Sequence, residues 1–186
     1  MSIVEARDVG SDWRERPLVL VGLMGCGKTS VGKRLAVRLG RRFVDADDAI
    51  ELAAGMSVRE IFERLGEPAF RDGERRVIAR LMAEAREPTV IATGGGAFVD
   101  ADTRALILAR GTAIWLDADV PTLVARTAKR PTRPLLVGRD PAAVLAELAR
   151  VRNPLYAEAP IRVMSRSAAH EATVDAIIGA LEAQAA

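Results

Sequence analysis

The sequence is poor in the residues on which several classes of protein depend. Its 186 residues include a single cysteine, Cys26, so no internal disulfide can form and nothing favours an oxidising compartment. Aromatic residues make up only 4%, which leaves few platforms for stacking against single-stranded nucleic acid. No apolar run approaches the roughly 20 residues of a membrane span, and residues 1–16 are polar. We therefore expect a soluble, cytoplasmic protein that binds neither nucleic acid nor membrane.

An excess of charge of one sign is also lacking. There are 27 lysines and arginines against 25 aspartates and glutamates, which leaves a formal net charge of +2. Most of the basic residues are arginine, so any single arginine is weak evidence of a binding site. Hydrophobic residues make up 49%, and the length suits one domain. We expect a single folded domain over residues 17–186 and a flexible leader over residues 1–16.

Short apolar runs alternate with helical patterns from residue 17 onward. Residues 47–86 are expected to be mostly helical, whereas the prolines and glycine of residues 130–141 predict a loop. Alternating strands and helices predict an α/β domain, with a five-stranded parallel sheet that carries helices on both faces. The predicted strands lie at 17–21, 43–44, 89–92, 112–116 and 161–164.

Residues 22–29, Gly-Leu-Met-Gly-Cys-Gly-Lys-Thr, match the phosphate-loop pattern between a predicted strand and a predicted helix. Glycines let backbone N–H groups converge on phosphate oxygens, and the start of the helix adds its positive end. Lys28 is expected to neutralise the β- and γ-phosphates, and Thr29 offers a hydroxyl to Mg²⁺. The pattern predicts nucleotide binding without naming a reaction, because GTPases, motor ATPases and small-molecule kinases share it.

Two acids, Asp45 and Asp47, follow the second predicted strand. An extended backbone would point both carboxylates into the crevice beside the phosphate loop. One could then hold Mg²⁺ and the other a substrate hydroxyl. Acids are equally favoured at a solvated helix start, so this pair alone leaves both interpretations open.

Three further motifs are indecisive when each is taken alone. Arg71 and Glu74 have the i, i+3 spacing of a local ion pair that could aim the guanidinium. Gly94–Gly96 would let the backbone approach a ligand, although it could equally be a tight turn. Arg152 lies near the end of a predicted helix, where an arginine is favoured in any case.

Taken together and in this order, the motifs over roughly residues 17–164 resemble those of shikimate kinases. The resemblance implies that Arg71 and Arg152 bind the carboxylate of shikimate. It also implies that Asp47 binds the hydroxyls and that Gly95 touches the substrate. The motifs that carry it are residues 22–29, Asp45-x-Asp47, Phe70-Arg71-x-x-Glu74, Gly94–Gly96, Arg126, Arg133-Pro134-Leu135-Leu136 and Arg152-x-Pro154-x-Tyr156.

The same resemblance implies the nucleotide and metal contacts. Arg126 would pack against the adenine, Arg133 would be the arginine of a lid, and Asp45 would reach Mg²⁺ through water alongside Thr29. Lys28, Asp47 and Arg133 would be the catalytic residues. The loop residues expected to contact ATP are Gly25, Cys26, Gly27, Lys28, Thr29 and Ser30.

A nucleoside-monophosphate-kinase-like fold with strand order 2-3-1-4-5 is implied by the resemblance. The implied reaction transfers the γ-phosphoryl group of ATP to the 3-hydroxyl of shikimate, a step of aromatic amino-acid biosynthesis. Residues 47–86 would hold the substrate, and residues 130–141 would close as a lid that excludes water. We expect a monomer.

Three other functions compete with this interpretation. One is a kinase for another small hydroxy acid, such as gluconate. A second is a GTPase-type switch with Mg²⁺ on Asp117, although no Asn-Lys-x-Asp guanine signature occurs. A third is a kinase-like binding module, which would be expected to lack Lys28, Asp47 or Arg133. The single histidine, His170, is expected at the surface near a helix start.

Overall fold

A parallel β-sheet forms the centre of the protein. The computed structural model describes residues 4–7, 11–84, 87–128, 134–136, 138–165 and 170–183. In these residues the strands run in the order β1-β6-β5-β2-β4-β3, and all but β1 are parallel. The five predicted strands therefore have the expected order 2-3-1-4-5. The strands are β1 (Val4–Ala6), β2 (Leu18–Val21), β3 (Arg42–Asp45), β4 (Thr89–Ala92), β5 (Thr112–Asp117) and β6 (Ile161–Met164).

The prediction of five strands was wrong by one, because β1 adds an antiparallel strand at the edge. Val4 lies opposite Val163 and Ala6 opposite Ile161. The backbone N–H of Arg7 donates to the carbonyl of Pro160 at 2.7 Å. All three residues of β1 are exposed, so the strand has neither the length nor the alternation that would predict it from sequence.

The leader segment is also anchored to the domain through Trp13. This side chain is 5% exposed and belongs to the main hydrophobic core. The Arg41 guanidinium donates to the carbonyls of Trp13, Arg14 and Arg16 at 2.9 to 3.1 Å. The expectation of a flexible leader therefore does not describe residues 4–7 and 11–16.

Helices cover the sheet. Helix α1 follows β2 and leads to β3, whereas α4 follows β4 and leads to β5 in the opposite direction across the sheet, so right-handed crossovers put these two helices on opposite faces. No helix in the described part of the chain is both long and apolar enough to cross a membrane. The helices are α1 (Lys28–Leu39), α2 (Ala46–Ala54), α3 (Val58–Glu84), α4 (Ala101–Arg110), α5 (Val120–Ala128), α6 (Pro141–Tyr156) and α7 (His170–Glu182).

Helices α2 and α3 form a lobe beside the sheet, helical as the sequence predicts. Ser57 and Glu60 make a capping box at the start of α3, in which the Ser57 N–H donates to Glu60 Oε2 at 2.9 Å. A kink at Gly66, where φ is 81°, divides α3 into two segments. The lobe has its own small apolar core, separate from the core under the sheet. Of the predicted lid, residues 130–141, residues 130–133 and 137 fall outside the described residues, residues 134–136 form one short 3-10 turn, and Pro141 begins α6.

The carboxyl ends of the parallel strands meet at one edge of the sheet. The connections that follow the neighbouring strands β2 and β4 run to opposite sides of the sheet, and in open α/β sheets ligands bind in the crevice at such a point. Residues 22–29 follow β2, Asp45 ends β3, Gly94–Gly96 follow β4 and Ser165 follows β6. The fold thus gathers the predicted motifs at one edge.

We predict that Trp13→Ala lowers the free energy of unfolding by about 3–5 kcal/mol, because it leaves a cavity in the main core. Arg14→Ala is the matched control, since its exposed guanidinium only stacks on the Trp13 ring at 4.7 Å and contributes about 1 kcal/mol or less. Urea unfolding measures the free energy of unfolding of both variants. Equal effects of the two substitutions would contradict the packing described for Trp13.

Candidate active site

The loop between β2 and α1 has a backbone that only glycine accommodates. Gly22, Gly25 and Gly27 have φ angles of 134°, 85° and 100°. A Cβ atom on Gly22 would lie 2.5 Å from the carbonyl oxygen of Leu116. Helix α1 begins directly after Gly27, so its first N–H groups face the same concavity and provide an anion-binding end.

Lys28 lies beneath this loop rather than in solvent. Its side chain is buried, and Nζ donates to the carbonyls of Gly22 at 2.7 Å and Leu23 at 2.9 Å. The nearest further partner is Cys26 Sγ at 3.6 Å. These contacts hold the ammonium group inside the loop, where a bound phosphate would meet it.

Thr29 and Asp45 form a hydrogen-bonded pair beside the loop. Thr29 Oγ1 donates to Asp45 Oδ2 at 2.7 Å, while Asp45 Oδ1 accepts the backbone N–H of Asp47 at 3.0 Å. Asp45 is thereby the N-cap of α2. The structure corrects the expected geometry: Asp47 lies in the first turn of a helix, so the helix start and not an extended backbone brings the two acids to the crevice.

Arg71 is held by carboxylates on its own helix. Nη1 donates to Glu74 Oε2 at 2.7 Å and Nη2 donates to Glu67 Oε1 at 3.0 Å. A Cβ atom on Gly96 would lie 2.5 Å from Arg71 Cζ, so the guanidinium packs directly on the glycine backbone. The predicted Arg71–Glu74 pair is present and fixes the orientation of the arginine.

Glu74 is a carboxyl group that the fold buries. Its side chain is 3% exposed, and desolvation raises its pKa against the opposing effect of Arg71. Oε1 has no hydrogen-bond partner in the described part of the chain. A Cβ on Gly94 would lie 2.5 Å from this oxygen and 3.0 Å from Asp47 Oδ1, so both acids face the same glycine.

Gly95 lies between the phosphate loop and α6, and its carbonyl accepts hydrogen bonds from α6. Arg152 Nη1 donates to it at 3.1 Å, and the buried hydroxyl of Tyr156 donates to it as well. Burial raises the pKa of Tyr156 far above the usual range, which keeps this hydroxyl a donor. On the other side, a Cβ on Gly95 would lie 3.3 Å from the backbone nitrogen of Met24 in the loop.

Arg126 lies at the outer side of the loop. Nη1 donates to the carbonyl of Cys26 at 3.2 Å and to Ser165 Oγ at 3.0 Å. Ser165 Oγ in turn donates to the Cys26 carbonyl at 2.8 Å. Sequence reasoning missed this role of Ser165, and its only signal was a hydroxyl residue directly after the last parallel strand.

His170 begins α7, as expected of a residue near a helix start, but it lies against the phosphate loop and is only partly exposed. A Cβ on Gly27 would lie 3.4 Å from His170 Cε1 and 3.8 Å from Arg126 Nη1. Burial, and then Arg126 and Arg34, lower the pKa of His170, so the imidazole is neutral at pH 7. The sequence missed this position because the contact joins residues far apart along the chain.

Asp117, the acid of the GTPase-type alternative, takes part in a structural ion pair. Its Oδ2 accepts from Arg162 Nη2 at 2.8 Å, and Arg162 also pairs with Glu5 of β1 at 3.2 Å. The Arg162 guanidinium lies 4.6 Å from the centre of the Trp115 ring. This network joins β1, β5 and β6 and already uses the carboxylate that a metal would need.

The residues predicted for the site thus lie around one crevice, apart from Arg133, which falls outside the described residues. Asp47 and Glu74 face Gly94, Arg152 reaches Gly95, Arg71 packs on Gly96, and Gly95 packs on the phosphate loop. Two arginines and two acids therefore line a pocket next to the phosphate loop.

Known proteins were compared with the sequence. The family model for shikimate kinase matches residues 24–182. A shikimate kinase of Caulobacter vibrioides is 56% identical over 168 residues, which are 90% of this chain and 83% of that protein. A shikimate kinase of Novosphingobium aromaticivorans is 54% identical over 169 residues, which are 90% of this chain and 88% of that protein.

A solved structure gives the same result for the fold. The shikimate kinase from Acinetobacter baumannii in complex with shikimate superimposes with a TM-score of 0.88 and 36% sequence identity. The match covers 93% of this chain and 96% of that one. Because the family model, the relatives and the fold agree over most of its length, this chain belongs to the shikimate kinase family.

Proposed function

We propose that this protein transfers the γ-phosphoryl group of ATP to the 3-hydroxyl of shikimate and releases ADP and shikimate 3-phosphate. The observation that carries the proposal is the convergence of two arginines and Asp47 on Gly94–Gly96, next to the phosphate loop. Family membership supports the same substrate, and a relative of known structure binds shikimate.

The acceptor is bound by its carboxylate and its hydroxyls. Arg71 and Arg152 each present a planar fork that can grip a carboxylate at two points. Asp47 accepts hydrogen bonds from the ring hydroxyls, and Gly95 contacts the ring, because its lack of a side chain allows close approach. Glu74 positions Arg71 through the 2.7 Å hydrogen bond.

The donor ATP is bound by the loop and the start of α1. The triphosphate contacts the backbone of Gly25, Cys26 and Gly27, together with Lys28 and the hydroxyl residues Thr29 and Ser30. Cys26 serves here as a small buried side chain. Arg126, beside the loop carbonyls, packs against the adenine.

The oxygen atoms of Thr29 and Asp45 fit Mg²⁺. A hydroxyl and a carboxylate 2.7 Å apart are the hard oxygen ligands that this ion prefers. No group of three or more acids, histidines or cysteines that could hold a metal occurs among the described residues. That composition suits an ion bound through one carboxylate and the substrate phosphates. When bound, Mg²⁺ offsets charge on the phosphate oxygens.

Phosphoryl transfer needs positioning and charge stabilisation more than covalent chemistry. Asp47 orients the 3-hydroxyl and accepts its proton as the oxygen attacks the γ-phosphorus. Lys28 stabilises the developing charge on the transferred group, and Arg133 does so when the lid of residues 130–141 closes. Closure excludes water, which would otherwise compete as the acceptor.

We further propose that the enzyme is a cytoplasmic monomer. Every residue assigned here lies on one chain, so the site needs no second subunit. The reaction consumes ATP, which the cytoplasm supplies.

For the metal, we predict that Asp45→Asn raises the Mg²⁺ concentration needed for half-maximal activity by roughly tenfold, because it removes the charge of the metal-facing carboxylate. Asp117→Asn should leave that concentration unchanged and instead lower the free energy of unfolding by about 1–3 kcal/mol, since it weakens the pair with Arg162. Asp48→Asn, an exposed acid on the same helix as Asp47, is the control. An effect on Mg²⁺ confined to Asp117→Asn would show that the metal residues are misassigned.

For the acceptor, we predict that Arg71→Lys and Arg152→Lys each raise the KM for shikimate by roughly tenfold to a hundredfold. The reason is that an ammonium group cannot make the two parallel hydrogen bonds that a guanidinium makes to a carboxylate. The KM for ATP should change little. Steady-state kinetics with each substrate varied separately measures both constants.

Arg75→Lys and Arg150→Lys are matched controls, because these arginines are exposed on the same two helices and pair with Asp72 and Glu147. Both control variants should have the same KM for shikimate and for ATP as the unmodified enzyme. An increase in KM restricted to ATP in the Arg71 and Arg152 variants would refute the carboxylate assignment.

A further inference from the structure

A cavity of about 410 Å³ opens between α2 and α3, within the size range of small-molecule sites. Its floor consists of Ile50, Ile61, Phe70 and Val77, which are also the buried core of this lobe. The exposed side chain of Leu65 lies at its rim. The small lobe therefore leaves an accessible apolar surface directly over its own core.

The charged residues of the cavity are of one sign. Arg76 and Arg80 line it, and no acidic residue does. Arg76 pairs with Asp72 of the same helix. Arg80 makes no hydrogen bond or ion pair with any residue that the structure describes. An apolar floor below an available guanidinium is complementary to an apolar body that carries a carboxylate.

The cavity is distinct from the acid-binding crevice although both use α3. Arg80 follows Arg71 by nine residues, which at about 100° per residue places the two on opposite sides of the helix. Ala69 and Gly73 face the cavity with Arg80, whereas Arg71 and Glu74 face Gly94–Gly96.

One side chain connects the two sites. Phe70 forms part of the cavity floor, and the guanidinium carbon of Arg71 lies 5.1 Å from the centre of its ring. A ligand in the cavity would therefore pack against the ring on which the Arg71 guanidinium stacks.

We propose that this cavity is a second site, which binds a small apolar carboxylate with its body on Ile50, Ile61, Phe70 and Val77 and its charge on Arg80. Binding itself is independent of the proposed function. The effect of this ligand on Arg71 rests on the proposed function, because it is measured as a change in the KM for shikimate.

Three probes with one body and different charge test the site: 3-phenylpropionate, 3-phenylpropan-1-ol and 3-phenylpropylamine. Calorimetry on the full chain should give one site at which the carboxylate binds at least tenfold more tightly than the alcohol or the amine. The carboxylate should still bind when shikimate is saturating. Equal affinities for the three probes, or displacement of the carboxylate by shikimate, would overturn the proposal.

Two variants locate the binding. Arg80→Gln should remove most of the preference for the carboxylate, and Arg59→Gln, an exposed arginine of α3 outside the cavity, should keep it. Ala69→Trp should fill the cavity and abolish binding of the carboxylate. Unchanged carboxylate binding in either Arg80→Gln or Ala69→Trp would overturn the assignment.

The coupling is measured separately in the kinase assay. Saturating 3-phenylpropionate should change the KM for shikimate at least twofold and leave the KM for ATP unchanged. The effect should disappear in Arg80→Gln. An unchanged KM for shikimate with the probe bound would overturn the coupling, and an absence of turnover with shikimate before any probe is added would count against the proposed function instead.

Discussion

The site depends on a backbone segment that carries no side chains. Gly94–Gly96 follow β4 at the centre of the sheet edge, and a Cβ at any of the three would lie within 3.3 Å of a neighbouring atom. Those neighbours are Asp47, Glu74, Arg71 and the phosphate loop, and Arg152 donates to the middle carbonyl. Because these side chains pack closely against the backbone of the three glycines, the pocket that they line lies next to the phosphate loop. The same packing leaves little freedom to the arginines, which should lower the entropic cost of binding an acid.

Much of the fold could be predicted because its signals are local. The apolar strands β2, β4 and β5 are buried on both faces, and each is bounded by a glycine, a proline or an acid. The strand β1 could not be predicted, since it is three exposed residues whose partner strand, β6, is more than 150 residues away along the chain. Trp13 looked like part of a polar leader for the same reason: its burial depends on the core and on Arg41, which lie elsewhere in the sequence.

The site was predictable where a residue type and a spacing carry the chemistry. The phosphate loop, the Arg71–Glu74 pair and the Thr29–Asp45 neighbourhood are of this kind. Contacts between distant segments were not predictable. Ser165 and His170 meet the loop only because β6 pairs with β5 and α7 packs against α1, and no pattern in the sequence near either residue predicts these contacts. The expectation of an extended backbone through Asp45 and Asp47 was wrong because the strand ends at Asp45 and the helix begins at the next residue.

The central claim is that the two arginines and Asp47 select a hydroxylated ring acid for phosphorylation by ATP. Release of ADP should be measured for the full chain with shikimate, with gluconate and with no acceptor, each with and without Mg²⁺. The account predicts turnover that requires both shikimate and Mg²⁺ and that is lost in Lys28→Ala, which removes the loop ammonium group. Release of ADP at the same rate without an acceptor, or equal turnover with gluconate, would contradict it.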